Sequence, residues 1–295
     1  MKCLVTGATG FVGANLVRAL LQRSNEVYII ARESSDDWRI SHIQDSLTIL
    51  YGDLTDRDGV FDLVAMIRPD IIFHVATYGG FPLQLNKEMM IGANLIGTIN
   101  LLDAAVKYDV EQFINTGSSS EYGIKNKPMT EDDICQPLSF YGVTKLAATN
   151  YCTMIGETLQ YPVCTLRLFS PYGEFEDSSR LYPCIKKALI SGQRPRLSQP
   201  NSVRDFISIQ KVCTIYLKMA EAEYPPGAII NVGSGRQQTI REFCAKIAYS
   251  MGISLEPIWG EAPPRFVEPK RWEADISKLK SLIGIEFEQD DVLWR

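Results

Sequence analysis

Tyr141 and Lys145 stand four residues apart, a spacing that puts a phenol and an ammonium on one face of a helix. A free tyrosine loses its proton at about pH 10, and a nearby cation stabilises the phenolate and draws that value toward neutrality. Such a pair suits proton exchange with a hydroxyl or carbonyl oxygen. Ser139 is placed to cap the helix, which sets Tyr141 in its first turn, where the helix dipole also favours negative charge. Ser118, Ser119 and Ser120 precede it at a strand end, and a serine hydroxyl from there would hold the oxygen on which the tyrosine acts. The spacing alone proves little, because Tyr182 and Lys186 repeat it; that pair reads as part of an amphipathic helix, with no chemistry assigned. Context separates the two. Only Tyr141 follows a serine-rich strand end that itself follows a glycine signature.

The elements that must position these groups begin with an apolar strand, Lys2 to Thr6, which runs into Gly7-Ala8-Thr9-Gly10-Phe11-Val12-Gly13; Val12, Leu16, Ala19 and Leu20 then follow helical spacing. A side chain at Gly7 or Gly10 would hold the backbone away from a pyrophosphate, and Gly13 lets the helix close on the strand. Gly7, Thr9, Gly10, Phe11, Val12 and Gly13 are therefore the expected contacts of a dinucleotide. The second strand, Glu26 to Ala31, ends in Ala31-Arg32-Glu33-Ser34-Ser35. An acidic residue in this slot bonds ribose hydroxyls, whereas an arginine suits a 2′-phosphate. Arg32, assisted by Arg39, Ser34 and Ser35, accordingly predicts NADP, with NAD as the alternative.

Leu47 to Tyr51 makes a third strand, after which Asp53, in Gly52-Asp53-Leu54, is placed either to accept from the adenine amine or to cap a helix, with Leu54 beside the cofactor. A fourth strand, Ile71 to Val75, carries His74 as a packed core histidine and leads to a small-residue crossing, in which Ala76 faces the cofactor and Thr77 the substrate. A long helical stretch from Leu83 to about Lys107 includes Asn94 and Asn100, which either bond backbone or line the site. Phe113 to Asn115 is a fifth strand that delivers Ser118 and Ser119 to the carboxyl edge, where open parallel sheets bind ligands. Val163 to Leu168 is a sixth. From there Pro171, Gly173, Pro183, Pro195 and Pro200 break the chain into shorter pieces, which divides it into a dinucleotide-binding part, residues 1–166, and a smaller, mainly substrate-binding part, residues 167–295. In the latter one helix starts after Ser208, and another carries the capping box Thr239-Ile240-Arg241-Glu242.

A chain of 295 residues, 45% hydrophobic and 22% charged, can bury a full core. The net charge of −5 and the lack of a basic block argue against nucleic acid or an anionic membrane surface as partners. Seven scattered cysteines without a CxxC suit reduced thiols in a cytoplasm, and neither His42 nor His74 has metal-ligand spacing, so no metal is expected. No apolar run approaches a membrane span in this reading.

The motifs together resemble the extended short-chain dehydrogenases/reductases, the NAD(P)-dependent epimerase/dehydratase group that acts on nucleotide sugars. The resemblance rests on Thr6 to Gly13, Gly52-Asp53-Leu54, His74-Val75-Ala76, Gly117 to Gly123, Tyr141-Gly142-Val143-Thr144-Lys145, Arg167-Leu168-Phe169 and Val203-Arg204-Asp205-Phe206. It implies an α/β fold, a doubly wound parallel (Rossmann) sheet with a smaller C-terminal substrate domain, and a homodimer formed through two long helices. By resemblance Tyr141 is the acid/base, Lys145 bonds the nicotinamide ribose, Ser118 positions the substrate oxygen, and Arg204 and Arg265 grip the nucleotide diphosphate.

Departures from the pattern matter as well. Where the 4,6-dehydratases carry an adjacent Asp-Glu pair, this chain reads Ser119-Ser120; Glu121 is displaced by one position and expected to point elsewhere. Elimination of water is thus unsupported. The expected function is NADPH-dependent reduction of a nucleotide-linked keto-sugar, a 4-keto-deoxysugar above all. An NAD-retaining nucleotide-sugar 4-epimerase is the alternative, and a non-catalytic NADP-binding regulator comes third.

Overall fold

Strand β1 (Lys2–Thr6) turns through Gly7–Gly10 into helix α1 (Phe11–Gln22), and the alternation continues with β2 (Glu26–Ala31), β3 (Thr48–Tyr51), α2 (Arg57–Ile67) and β4 (Ile71–His74). Helix α3 (Lys87–Ile91), a π-helical turn (Gly92–Ile96) and α4 (Gly97–Lys107) follow without a break, then β5 (Gln112–Ser118), α5 (Phe140–Leu159) and β6 (Val163–Leu168). The remainder comprises β7 (Ser170–Tyr172), α6 (Leu181–Ile190), β8 (Arg196–Leu197), β9 (Val203–Ser208), α7 (Ile209–Met219), β10 (Ala228–Val232), β11 (Gln237–Thr239), α8 (Ile240–Ser250), β12 (Ile258–Trp259) and α9 (Ser277–Ile283). These elements come from a computed structural model that describes residues 1–81, 83–261 and 268–285.

Seven strands form one sheet in the order β10-β6-β5-β4-β1-β2-β3, parallel throughout. β1, β4 and β6 are almost wholly buried, as strands covered on both faces must be, which is why apolar residues occupy successive positions such as Cys3-Leu4-Val5 and Ile71-Ile72-Phe73 rather than alternating. Leu16, Val17 and Leu20 of α1 pack with Val212, Ile215 and Tyr216 of α7 on one face. Val60 and Val64 of α2, Leu101 and Ala105 of α4 and Cys152 of α5 cover the other. The strand order runs outward in opposite senses from β1 and β4, so the crevice opens at their carboxyl ends. The doubly wound α/β sheet is thus present. Its seventh strand, β10, and helix α7 come from beyond residue 167 and return to the main sheet.

A second, smaller layer carries β7, β9 and β11 in one three-stranded sheet, with β8 paired to β12. Ile185 and Leu189 of α6 pack there against Phe243 and Ile247 of α8, and Phe243 stacks on Phe206 at 3.8 Å between centroids. The Thr239–Glu242 capping box forms, and Ser208 caps α7 as expected.

The long helical stretch differs from expectation in two ways. It starts at Lys87, where Asn86 accepts from the Met89 amide, and it widens into the π turn at Gly92–Ile96. The stretch from Lys87 to Lys107 also holds an 18-residue window of mean hydropathy 1.5, apolar enough by length and composition to cross a membrane, contrary to the reading that no run approaches a span. Half of the stretch is buried in the fold, and Asn94, Thr98 and Asn100 make hydrogen bonds within it, so it serves as a core helix. Strand β5 is longer than expected and carries Ser118 itself.

Candidate active site

The turn after β1 is fixed by close backbone approach. Gly7 has φ 70°, and a Cβ there would lie 2.6 Å from the Ala76 nitrogen on the neighbouring strand end; a Cβ on Gly13 would lie 2.2 Å from the Gly7 carbonyl oxygen. Gly10 stands at the N-cap of α1 without any side-chain cap, so the first amides of the helix face the cleft unsatisfied by protein. An uncapped helix N-terminus approached by bare glycine backbone is a ready site for a pyrophosphate. Thr9, Phe11, Val12, Leu54 and Ala76 line the same cleft, whose volume of about 1230 Å³ exceeds what one small ligand requires. These residues fit a dinucleotide.

Tyr141 stands in the first turn of α5, as its spacing implies, because Ser139 accepts from the Gly142 amide at 3.0 Å. The turn is pinned from the side: Asn94 Nδ2 donates to Thr144 Oγ1 at 2.9 Å and to the Tyr78 carbonyl at 2.8 Å, while Thr77 Oγ1 donates to Asn94 Oδ1. Asn94 therefore bonds backbone and side chains, and Asn100 bonds the Leu54 carbonyl. A Cβ added to Gly80 would lie 3.9 Å from Tyr141 Oη, so the backbone after β4 passes beside the phenol.

The acidity of Tyr141 differs from expectation. Burial pushes the phenol above its ordinary value, and hydrogen bonding to Ser118 and Thr77 pulls only part of the way back. Lys145 is 1% exposed, and its Nζ, buried without a hydrogen-bond partner, has its own pKa lowered by burial. Desolvation disfavours the charged form of both groups, and here it outweighs the attraction that spacing alone suggested. The orphaned ammonium below the Tyr141 turn is a donor suited to a ribose hydroxyl.

His74 confirms its reading as a core residue. Thr98 gives its hydroxyl proton to the Asn94 carbonyl, so it accepts from His74 Nε2, and Nδ1 accepts from Thr6 Oγ1 at 2.7 Å. Burial and then the charge of Lys145 lower its pKa to about 3, and the ring stays neutral.

Ser118 and Ser119 line the cleft at the end of β5. Ser118 Oγ accepts from the Ser120 amide, and the Glu121 carboxylate returns the bond to the Ser118 amide at 2.8 Å. The other Glu121 oxygen takes Arg167 Nε at 2.7 Å in an ion pair buried almost completely. Glu121 thus points away from the cleft, as expected, and it fixes the loop that presents Ser118.

A family model described as the NAD dependent epimerase/dehydratase family matches residues 3–233. The chain belongs to this family. It is 29% identical to the low-salt glycan biosynthesis protein Agl12 of Haloferax volcanii over 96% of this chain and 92% of that one. The GDP-6-deoxy-D-mannose reductase of Pseudomonas aeruginosa is 26% identical over 96% and 91%, and UDP-glucose 4-epimerases recur among the relatives. Among solved structures, the UDP-glucuronic acid 4-epimerase of Bacillus cereus in complex with UDP-glucuronic acid and NAD superposes with a TM-score of 0.82 at 27% identity, covering 96% of this chain and 93% of that one. This chain is thus an NAD(P)-dependent enzyme of the epimerase/dehydratase family.

The family's other expected positions fare unevenly here. Arg32 is exposed and lines the cleft with Ser35 and Arg39. Arg39 is already engaged, its Nε donating to the Phe175 carbonyl and its Nη1 to the Thr9 carbonyl. Asp53 accepts from the Thr55 amide and hydroxyl in a local turn; the cap of α2 is Asp56, so Asp53 does not cap that helix. Arg204 reaches the cleft from β9, where Nη2 pairs with Glu268 at 3.2 Å. Arg265 lies outside the described residues. Sequence reasoning quoted Arg167 in a motif but missed its pairing with Glu121, 46 residues away, and it missed the aromatic wall of Tyr172, Tyr182 and Phe206 on the cleft.

Proposed function

We propose that the protein reduces a nucleotide-linked keto-sugar, a 4-keto-deoxysugar, with NADPH. The observation that carries this reading is the end of β2, where Ala31 and Arg32 replace a carboxylate and Arg32, Ser35 and Arg39 share the cleft wall. A guanidinium there suits a 2′-phosphate, and NADPH is the pool that serves net reduction. When bound, the cofactor supplies hydride to the carbonyl carbon. Tyr141 gives the carbonyl oxygen its proton, the Ser118 hydroxyl holds that oxygen against the phenol, Thr77 braces the turn beside it through Asn94, and Lys145 orients the ribose. Ser119 and Ser120 put no carboxylate at the end of β5, beside Tyr141, to draw a carbon-bound proton, so the keto group is expected to arrive ready-made. A regulator without turnover would not need Tyr141 and Lys145.

Changing Arg32 to Asp is expected to weaken NADPH binding by about 10- to 100-fold, the loss of one charge-assisted contact, and to favour NADH. Fluorescence titration of the two nucleotides checks this, and a wild type that already prefers NADH refutes the 2′-phosphate contact.

The recurrence of 4-epimerases among the relatives favours a second reading, in which NAD is retained and hydride returns to the other face of the sugar. An epimerase regenerates its nicotinamide in each cycle, whereas a reductase exchanges it. Purified protein is therefore expected to carry little nicotinamide and to oxidise NADPH stoichiometrically with a nucleotide-linked 4-keto-sugar. Retained NAD, together with interconversion of C4-epimeric nucleotide sugars without added cofactor, would establish the epimerase. The exposed Met89, Ile91 and Ile96 on the α3–α4 stretch and Val143 and Met154 on α5 support a homodimer through those helices, and seven free cysteines support a cytoplasmic setting.

A further inference from the structure

The turn between β7 and α6, residues 173–180, crosses from the α1 side of the cleft to the Tyr141 side. Near its start Asn15 Nδ2 donates to the Glu174 carbonyl at 2.9 Å, Arg39 Nε donates to the Phe175 carbonyl at 2.8 Å, and the Arg18 guanidinium lies 3.9 Å from the Phe175 ring centroid. Phe175 has φ 66°, a left-handed conformation that a bulky residue keeps only where its surroundings hold it. At the far end Arg180 Nη2 donates to the Gly80 carbonyl at 3.0 Å, beside the Tyr141 phenol.

Between these anchors stands Glu176. Its side chain is 10% exposed and lines the cleft. Arg180 Nε stays 3.9 Å from Oε1, beyond hydrogen-bond reach, and the buried Oε2 has no hydrogen-bond partner. Leaving a buried carboxylate oxygen unpaired is costly, and a turn pinned on both sides does not let it swing out to solvent. Such an oxygen accepts a donor and repels a phosphate. We propose that Glu176 is a ligand-binding residue of the cleft, its Oε2 accepting a hydrogen bond from a hydroxyl of the cofactor ribose or of the nucleotide-linked sugar. The proposal rests on the nucleotide-sugar reading above.

Burial pushes the Glu176 carboxyl up to about 7, with Arg180 holding it down and Asp177 pushing it further; Tyr182 and Cys184 of α6 are the other titratable groups facing it. The acceptor form is therefore gained as pH rises through that value, and affinity for the ligand it holds should rise between pH 6 and pH 8. The test titrates wild type and Glu176→Gln with NADPH alone, and separately with UDP-glucose, dTDP-glucose and GDP-mannose. At pH 8 the variant is expected to lose about tenfold in affinity for one of the two ligand classes, and the class that moves identifies the source of the hydroxyl. Its pH profile for that ligand should be flat where the wild-type profile rises. Equal affinities at pH 8, or a wild-type profile as flat as the variant's, overturn the proposal; should the variant not fold, the wild-type profile alone decides. Failure of wild type to bind any of the four compounds overturns the nucleotide-sugar reading instead.

Discussion

Tyr141→Phe is expected to lower turnover by about 10²–10⁴ at saturating cofactor while leaving the Kd for NADPH within about twofold of wild type. The ring stays where it is, because Ser139 caps its helix and Asn94 pins Thr144 one turn away; only the transferable proton is lost. The hydroxyl that Ser118 and Thr77 address has no second phenol in that arrangement. Tyr182, whose ring lies 5.3 Å from that of Tyr172 in the aromatic wall, is the internal control, and its Phe variant should turn over normally. Near-normal turnover of the Tyr141 variant would remove this residue as the proton donor.

The second large effect is on stability. Glu121→Gln keeps the shape of the side chain and removes its charge, which leaves the Arg167 guanidinium buried without a counter-ion. Removing one partner of such a pair costs about 3–5 kcal/mol, read as a fall in the denaturant midpoint at unchanged slope. Replacing both residues with apolar ones of similar volume, Glu121→Leu with Arg167→Met, should recover part of the loss, since the desolvation of two charges disappears with them while the buried Ser118 amide stays without its acceptor. An unchanged midpoint in the single variant would show that the pair contributes nothing. The Gln variant should also lose activity, because Glu121 fixes the Ser118 amide at the cleft.

What the sequence made legible was local. Glycines at 7, 10 and 13 answer to backbone approaches within one turn, and Ser139, Tyr141 and Lys145 follow from helix geometry alone. That Glu121 turns away from the cleft could be read by counting positions; its destination at Arg167 could not, because separation along the chain carries no pairing information. The direction of the Tyr141 shift was likewise hidden, since burial is a property of the whole fold and spacing reports only the neighbouring charge. The π turn at Gly92–Ile96 leaves the apolar pattern nearly unchanged and so escaped notice. Breaks at Pro171, Gly173 and Pro183 marked a change of architecture. They did not reveal that the turn they enclose is tied to Arg39 and Gly80 across the cleft.

The position of β10 bears on how this protein can be made or divided. Strand β6 is buried along its whole length, and it is β10, arriving some sixty residues later, that covers its outer side. A ribosome that has emitted only the first six strands has produced a sheet whose last member presents unpaired amides and carbonyls along an edge, the kind that recruits other chains. The nucleotide-binding half is therefore not a separable module. Fragments ending before residue 232 would aggregate rather than bind cofactor, and a split version of the protein would have to supply its second piece while the first is still nascent.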